Sequence, residues 1–186
     1  MKNNAYMETM EHRLERFQNG PPIEIIDTLL NSLHSFFNNE IRLTTENGNF
    51  QTSLLFMGIH AVALTISEGL FDKKGPDGYK LFLEKFIDGN KQDTKFSSIS
   101  ELIHDWRNNL AHQWIGSIGH SIAYDYKMNF GWEKKDGITY INPRIYCEQY
   151  LGAFGSGGRI YDYRKMLTAA ELEEAKQRLI EKYIKN

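Results

Sequence analysis

The chain alternates stretches in which apolar residues recur at helical spacing with short polar breaks. Three such stretches cover residues 5–18, 22–43 and 50–71. Apolar residues three and four positions apart lie on one face of an α-helix. The third stretch is apolar on nearly all sides, which predicts a helix at the centre of a bundle. The polar segment 72–78 then predicts a loop, and residues 79–87 predict a short helix behind it.

Two helix starts are predicted by pairs with the spacing of a capping box, in which a serine or threonine precedes a glutamate by three positions. These pairs are Ser98 with Glu101 and Thr168 with Glu171. The first pair predicts the start of a helix at Ser98. The second predicts a C-terminal helix over about 168–185.

Between these two helices the spacing of apolar residues changes to a period of two. Residues 122–132 alternate apolar and polar side chains, which predicts one long strand. Residues 134–137 have turn chemistry, and 138–141 can return as a partner strand. We therefore expect one domain with a bundle core over about 22–115 and a β-hairpin extension over about 119–147.

Length and composition fit a single domain: the chain has 186 residues, of which 41% are hydrophobic, enough for a core. No uninterrupted apolar run reaches the roughly 18 residues of a membrane span, and the first residues are polar. We therefore expect a cytoplasmic protein without a membrane segment. Cys147 has no second cysteine for a disulfide or a cysteine-based zinc site. The formal net charge of -2 argues against a protein that coats nucleic acid.

The main candidate site is the helical segment that contains Arg107, Asn108 and His112. The planar guanidinium of an arginine matches phosphate oxygens, and a histidine exchanges protons near neutral pH. These groups suit RNA cleavage by its own 2′-hydroxyl, a reaction that needs proton transfer and charge stabilisation but no metal. We expect His112 to transfer protons, Arg107 to stabilise the phosphate, and Asn108 to hold the imidazole or a phosphate oxygen.

The spacing also predicts how the site is shared between subunits. Because a helix turns about 100° per residue, Arg107 and His112 lie about 140° apart on it. Two copies facing each other across a two-fold axis could pool their groups, so we expect a homodimer. Supporting or substrate-binding roles are predicted for three other polar residues of the same helix and for one histidine on the central helix. They are His104, Asp105, Asn109 and His60. His60 could instead be an ordinary buried histidine, or it could orient His112.

The pattern Arg107-Asn108-x-x-x-His112, late in a helical bundle, resembles the Arg-x4-6-His signature of the HEPN superfamily (higher eukaryotes and prokaryotes nucleotide-binding domains). The resemblance implies an up-and-down bundle of four to five helices. It also implies a metal-independent endoribonuclease, without cofactor, whose catalytic set is Arg107, Asn108 and His112 at a homodimer interface. Many members act in toxin–antitoxin or phage-defence systems, so RNA or a nucleotide and an antitoxin-type protein are the implied partners.

One branch of that superfamily continues the motif as His-x-Tyr and has the tyrosine modified by a partner enzyme. This chain has His112-Gln113-Trp114 instead, so that mechanism is not implied.

Other interpretations of the same residues remain open. The chain could be a non-catalytic module that binds a nucleotide, RNA or a protein, or an oligomerisation module. A metal site would recruit His60, Glu68, His104 and His112. The aromatic residues of the predicted strand could stack RNA bases or pack on the bundle. They are Tyr124, Tyr126, Phe130 and Trp132.

Overall fold

The computed structural model describes residues 9–41, 52–88, 95–113, 122–154 and 163–184. The first helices in chain order are α1 (Met10–Asn19), α2 (Pro22–Phe36), α3 (Thr52–Phe71), α4 (Gly75–Phe82) and α5 (Ser100–Gln113). A π-helical turn extends α2 (Phe37–Ile41) and another extends α4 (Leu83–Asp88), and a 3-10 turn (Phe96–Ile99) leads into α5. The strands β1 (Ile122–Tyr124), β2 (Trp132–Lys135) and β3 (Ile138–Ile141) follow, and then the helices α6 (Pro143–Phe154), α7 (Tyr163–Met166) and α8 (Ala169–Tyr183). The fold is mainly helical with a small three-stranded sheet, which confirms the expected class.

Helix α3 lies at the centre of the bundle, as its apolar sequence predicts. It packs against α2, α4, α5, α6 and α8. Among the described residues it is the one helix long and apolar enough to cross a membrane by length and composition, and 56% of its most apolar window is buried inside the protein. Ile59, Ala63 and Ile66 have no exposed surface. Contacts with neighbouring helices therefore account for its apolar sequence.

The first two helices follow the predicted pattern. Helix α1 begins at Met10, with Thr9 as its N-cap, and the first eight residues lie outside the described part of the chain. Helix α2 begins at Pro22, which suits a first-turn position because its missing N–H would have no helical acceptor there.

The predicted loop over 72–78 is wrong in its second half, because helix α4 begins at Gly75 instead of Tyr79. Gly75 has a φ of +56°, a left-handed conformation that glycine adopts without steric cost. Pro76 follows in the first helical turn, where its fixed φ favours a helix. A glycine and a proline thus start the helix here and do not prolong the loop.

The capping box predicted at Ser98 is also wrong. Ser98 lies inside the 3-10 turn that precedes α5. The carboxylate of Asp88 occupies the capping position instead, since its Oδ2 accepts a hydrogen bond from the backbone N–H of Ser97 at 3.2 Å. This cap comes from the end of the preceding helical element, nine residues earlier, so the three-residue spacing of a capping box does not reveal it. The second capping box is confirmed, because Thr168 and Glu171 exchange both expected hydrogen bonds at the start of α8.

The prediction of one long strand over 122–132 is wrong. Strand β1 ends at Tyr124, and the sheet has the order β1-β3-β2, with β1 parallel and β2 antiparallel to β3. Because β1 and β2 occupy opposite edges of β3, the chain between them must cross over the end of that strand. Asn142 holds this crossing, since its side-chain amide donates to the carbonyl of Met128 at 2.7 Å.

A hairpin ending in the predicted strand 138–141 is present, but its first strand, β2, includes Lys134 and Lys135, which were predicted to lie in the turn. Asp136 and Gly137 form its turn with φ values of +51° and +77°. Two successive positive φ angles are typical of the type I′ turn, whose twist matches that of the strands.

Helix α6 is an element that the sequence analysis missed. Asn142 caps it by accepting a hydrogen bond from the backbone N–H of Arg144 at 3.0 Å, and Pro143 occupies its first turn. The helix brings Tyr146 and Tyr150, both without exposed surface, into the core. The Asn-Pro pair ahead of it is a helix-start signal that could have revealed it.

Candidate functional site

Helix α5 carries the Arg107 motif on a framework of buried apolar residues. It packs on α3 and α4. Ile103, Trp106 and Leu110 are buried, and the Trp106 ring meets the ring of Phe56 edge-on at 5.2 Å. These contacts fix the rotation of α5, so its polar residues occupy defined positions along the edge of the bundle.

Arg107 is half-buried and is held by its neighbour. Its Nη1 donates to Oδ1 of Asn108 at 2.9 Å. No carboxylate in the described part of the chain forms an ion pair with Arg107, and its buried Nε has no hydrogen-bond acceptor there. An arginine that is partly removed from water without a counter-charge favours the approach of an anion.

His104 is buried, whereas the sequence predicted a supporting or substrate-binding role for it. Its exposure is 8%, and its Nδ1 shares a hydrogen bond of 2.8 Å with Nε2 of His60, which has no exposed surface. The expected participation of His60 near the motif thus takes the form of a contact with His104. Both histidines are buried because α5 packs on α3.

The two imidazoles are neutral at ordinary pH. Burial lowers the pKa of His60 to about 3, helped by the positive charge of Arg107 and by His104. Burial also lowers the pKa of His104; the charge of Asp105 opposes this shift, and Arg107 acts more weakly in the same direction as burial. Arg107 is therefore close enough to lower the pKa of both histidines.

The remaining candidates occupy different positions. Asp105 is exposed and Asn109 is half-buried. The backbone of His112 belongs to the last turn of α5, and its side chain lies outside what the structure describes. The structure thus brings together His60, His104 and Arg107 with Asn108, and the role of His112 stays a prediction.

Of the residues proposed for a metal site, His60 and His104 are in contact, Glu68 lies elsewhere, and the side chain of His112 is outside the described part of the chain. Glu68 forms ion pairs with Lys182 and Lys74 at the far end of α3. Within the described ranges, no group of three or more histidine, cysteine, aspartate or glutamate side chains is placed to hold a metal ion.

Two tyrosines beside the histidine pair were missed by the sequence analysis. The ring of Tyr79 lies 4.5 Å from that of His60, and its hydroxyl shares a hydrogen bond of 2.6 Å with the hydroxyl of Tyr146. Burial raises the pKa of both tyrosines far above its usual range, so both remain protonated. Because the two residues are distant in sequence, no local signal connects them.

The aromatic residues of the predicted strand do not form one stacking surface. Tyr124 packs on the bundle, with its ring 5.9 Å from that of Phe56 and 5.7 Å from that of Trp106. Phe130 is 41% exposed.

A comparison with known protein families, with curated proteins and with solved structures found no match to this chain, so its function is argued from the site itself.

Proposed function

We propose that this chain is a metal-independent endoribonuclease of the HEPN type. Arg107 would bind the scissile phosphate and His112 would transfer protons. The observation that supports this most concerns Arg107. Asn108 holds its guanidinium by a hydrogen bond, and no carboxylate in the described ranges forms an ion pair with it. The neutral histidines beside it leave its charge available for a phosphate. The mainly helical fold is compatible with the superfamily's bundle.

The reaction would proceed in one displacement at phosphorus. A base removes the proton of the ribose 2′-hydroxyl, whose oxygen attacks the adjacent phosphorus. The bond from phosphorus to the 5′-oxygen breaks, and that oxygen receives a proton from an acid. The products are a 2′,3′-cyclic phosphate and a 5′-hydroxyl. Arg107 would stabilise the negative charge that grows on the phosphate oxygens in the transition state.

The site would be completed by a second copy of the chain. Since Arg107 and His112 lie about 140° apart on α5, a two-fold dimer is the simplest way to direct both at one phosphate. A role in toxin–antitoxin or phage-defence systems, with an antitoxin-type partner, would fit this activity.

The test is cleavage of an unstructured RNA in the presence of EDTA. We expect products with 2′,3′-cyclic phosphate ends, and we expect Arg107→Ala and His112→Ala to abolish them. His12→Ala, which removes an exposed histidine on α1, is the matched control and should cleave normally. Cleavage by His112→Ala at the wild-type rate would refute the proposal. RNA binding without any product would favour a binding module instead.

A mixing experiment tests whether the site is shared. If Arg107 from one copy acts with His112 from the other, then mixing the two inactive variants restores part of the activity, because a mixed dimer contains one intact site. No restoration, despite proven exchange of subunits, would place both groups in one chain.

A further inference from the structure

A cleft of about 700 Å³ lies between α4, the start of α5 and one face of the sheet. We call it the sheet–helix cleft. Its volume falls within the range of about 300–1,000 Å³ that is common for small-molecule sites. Neither Arg107 nor Asn108 lines it, so it is separate from the proposed ribonuclease site.

The indole of Trp132 forms an aromatic wall of the cleft. Its Nε1 donates to the backbone carbonyl of Lys95 at 3.1 Å, which fixes the orientation of the ring. No aromatic ring among the described residues stacks on it. An oriented aromatic side chain in an open cleft is suited to stacking with a planar ring of a ligand.

The hydroxyls of two residues that are otherwise nearly buried also line the cleft. Ser100 is 4% exposed and Thr139 is 5% exposed. Neither hydroxyl has a hydrogen-bond partner in the part of the chain that the structure describes. Both hydroxyl oxygens reach the surface of the cleft, so each can donate or accept a hydrogen bond with a polar ligand atom there.

The charged groups of the cleft can recognise an anion. Lys80 of α4 and Lys134 of β2 line it, and neither forms an ion pair with a described residue. Lys134 stands directly opposite Thr139 in the sheet, so an ammonium group and a hydroxyl lie on the same face. This combination suits a phosphate. Glu84 and Glu101 also line the cleft, and their carboxylates can accept hydrogen bonds from sugar hydroxyls or base amino groups.

We propose that the sheet–helix cleft binds a nucleoside monophosphate unit. The base stacks on Trp132, and the phosphate binds Lys134 and Lys80 with the hydroxyls of Ser100 and Thr139. The proposal does not depend on ribonuclease activity, because none of these groups takes part in the proposed cleavage.

Calorimetric titration of the His112→Ala protein with adenosine monophosphate tests the proposal without turnover. We expect saturable binding that Lys134→Gln weakens about tenfold, because a charged hydrogen bond to the phosphate is lost. Lys135→Gln is the matched control, because Lys135 is next to Lys134 on the same strand but points to the opposite face of the sheet. Adenosine without phosphate should bind at least tenfold more weakly.

Absence of binding, or equal affinities of the Lys134→Gln and Lys135→Gln proteins, would overturn the proposal. Ser100→Ala is a second variant that removes a hydroxyl from the wall without touching the sheet, and it should also weaken binding. A short single-stranded RNA then identifies the source of the nucleotide. If the RNA competes with adenosine monophosphate and the competition requires Lys134, the cleft binds a nucleotide of an RNA strand. If the RNA does not compete, the cleft binds a free nucleotide.

Discussion

His60 and His104 share one hydrogen bond of 2.8 Å between Nε2 and Nδ1 in the buried interface of α3 and α5. One ring donates and the other accepts, so this hydrogen bond forms when both imidazoles are neutral. The second nitrogen of His60, Nδ1, is buried without a partner. An added proton on His60 would therefore be buried without compensation, close to the charge of Arg107.

The first prediction concerns the pH dependence of stability. The unfolded chain protonates His60 near pH 6.5, whereas the folded protein does so only near 3. Between these values the unfolded state binds more protons, so the free energy of unfolding falls as the pH falls, by up to about 1.4 kcal/mol per pH unit. Urea denaturation between about pH 7 and pH 4.5 measures this slope.

Two variants assign that slope to His60. His60→Gln removes this titrating group and should reduce the slope, whatever its stability at neutral pH; the smaller contribution of His104, whose pKa burial also lowers, remains. The charged and titratable groups that face His60 are His104 and Arg107 from α5 and Tyr79 from α4, and all three are unchanged in this variant. His12→Gln should keep the wild-type slope. A wild-type slope in His60→Gln would contradict the prediction.

The second prediction concerns the hold of Asn108 on Arg107. Asn108→Ala removes the acceptor of the guanidinium, so we expect the kcat of RNA cleavage to fall about tenfold through loss of positioning. Asn108→Asp should be more harmful, because its carboxylate would neutralise Arg107 and compete with the phosphate. Single-turnover cleavage of the two variants gives the comparison. Full activity in Asn108→Asp would exclude Arg107 from phosphate binding.

The third prediction compares two glycines. A Cβ at Gly78 would lie 2.4 Å from the backbone oxygen of Lys73, so Gly78→Ala should lower the free energy of unfolding by about 1–3 kcal/mol. At Gly152, in α6, a Cβ would meet no atom within 4 Å. Gly152→Ala should raise the stability by about 0.5 kcal/mol, because alanine favours a helix more than glycine does. Thermal unfolding of both variants tests the contrast, and equal effects would disprove it.

The fourth prediction separates the two capping boxes. Thr168→Ala removes a side chain that caps α8 and should destabilise the protein by about 1 kcal/mol. Ser98→Ala should change stability by less than about 0.5 kcal/mol, because Ser98 is an exposed residue inside a 3-10 turn and caps nothing. Chemical denaturation of both variants measures the difference. A larger loss in Ser98→Ala would contradict the observed cap by Asp88.

Helix positions were largely predictable from local sequence. The apolar spacing placed α2 and α5, and the composition of residues 52–71 placed α3 at the centre. Local sequence was insufficient where a residue of another element decided the outcome. Asp88 supplies the cap that Ser98 was expected to provide, and strand β3 takes β1 and β2 on opposite edges, which ends β1 at Tyr124.

For the candidate site, the sequence by itself determined which residue types share α5, because helical spacing fixes the angle between Arg107, Asn108 and His104. Only the tertiary structure decided their environment. Packing of α5 on α3 buries His104 against His60, and this burial makes both imidazoles neutral while Arg107 keeps its charge. Burial depends on which helices meet, and that information is spread over the whole chain and absent from the motif.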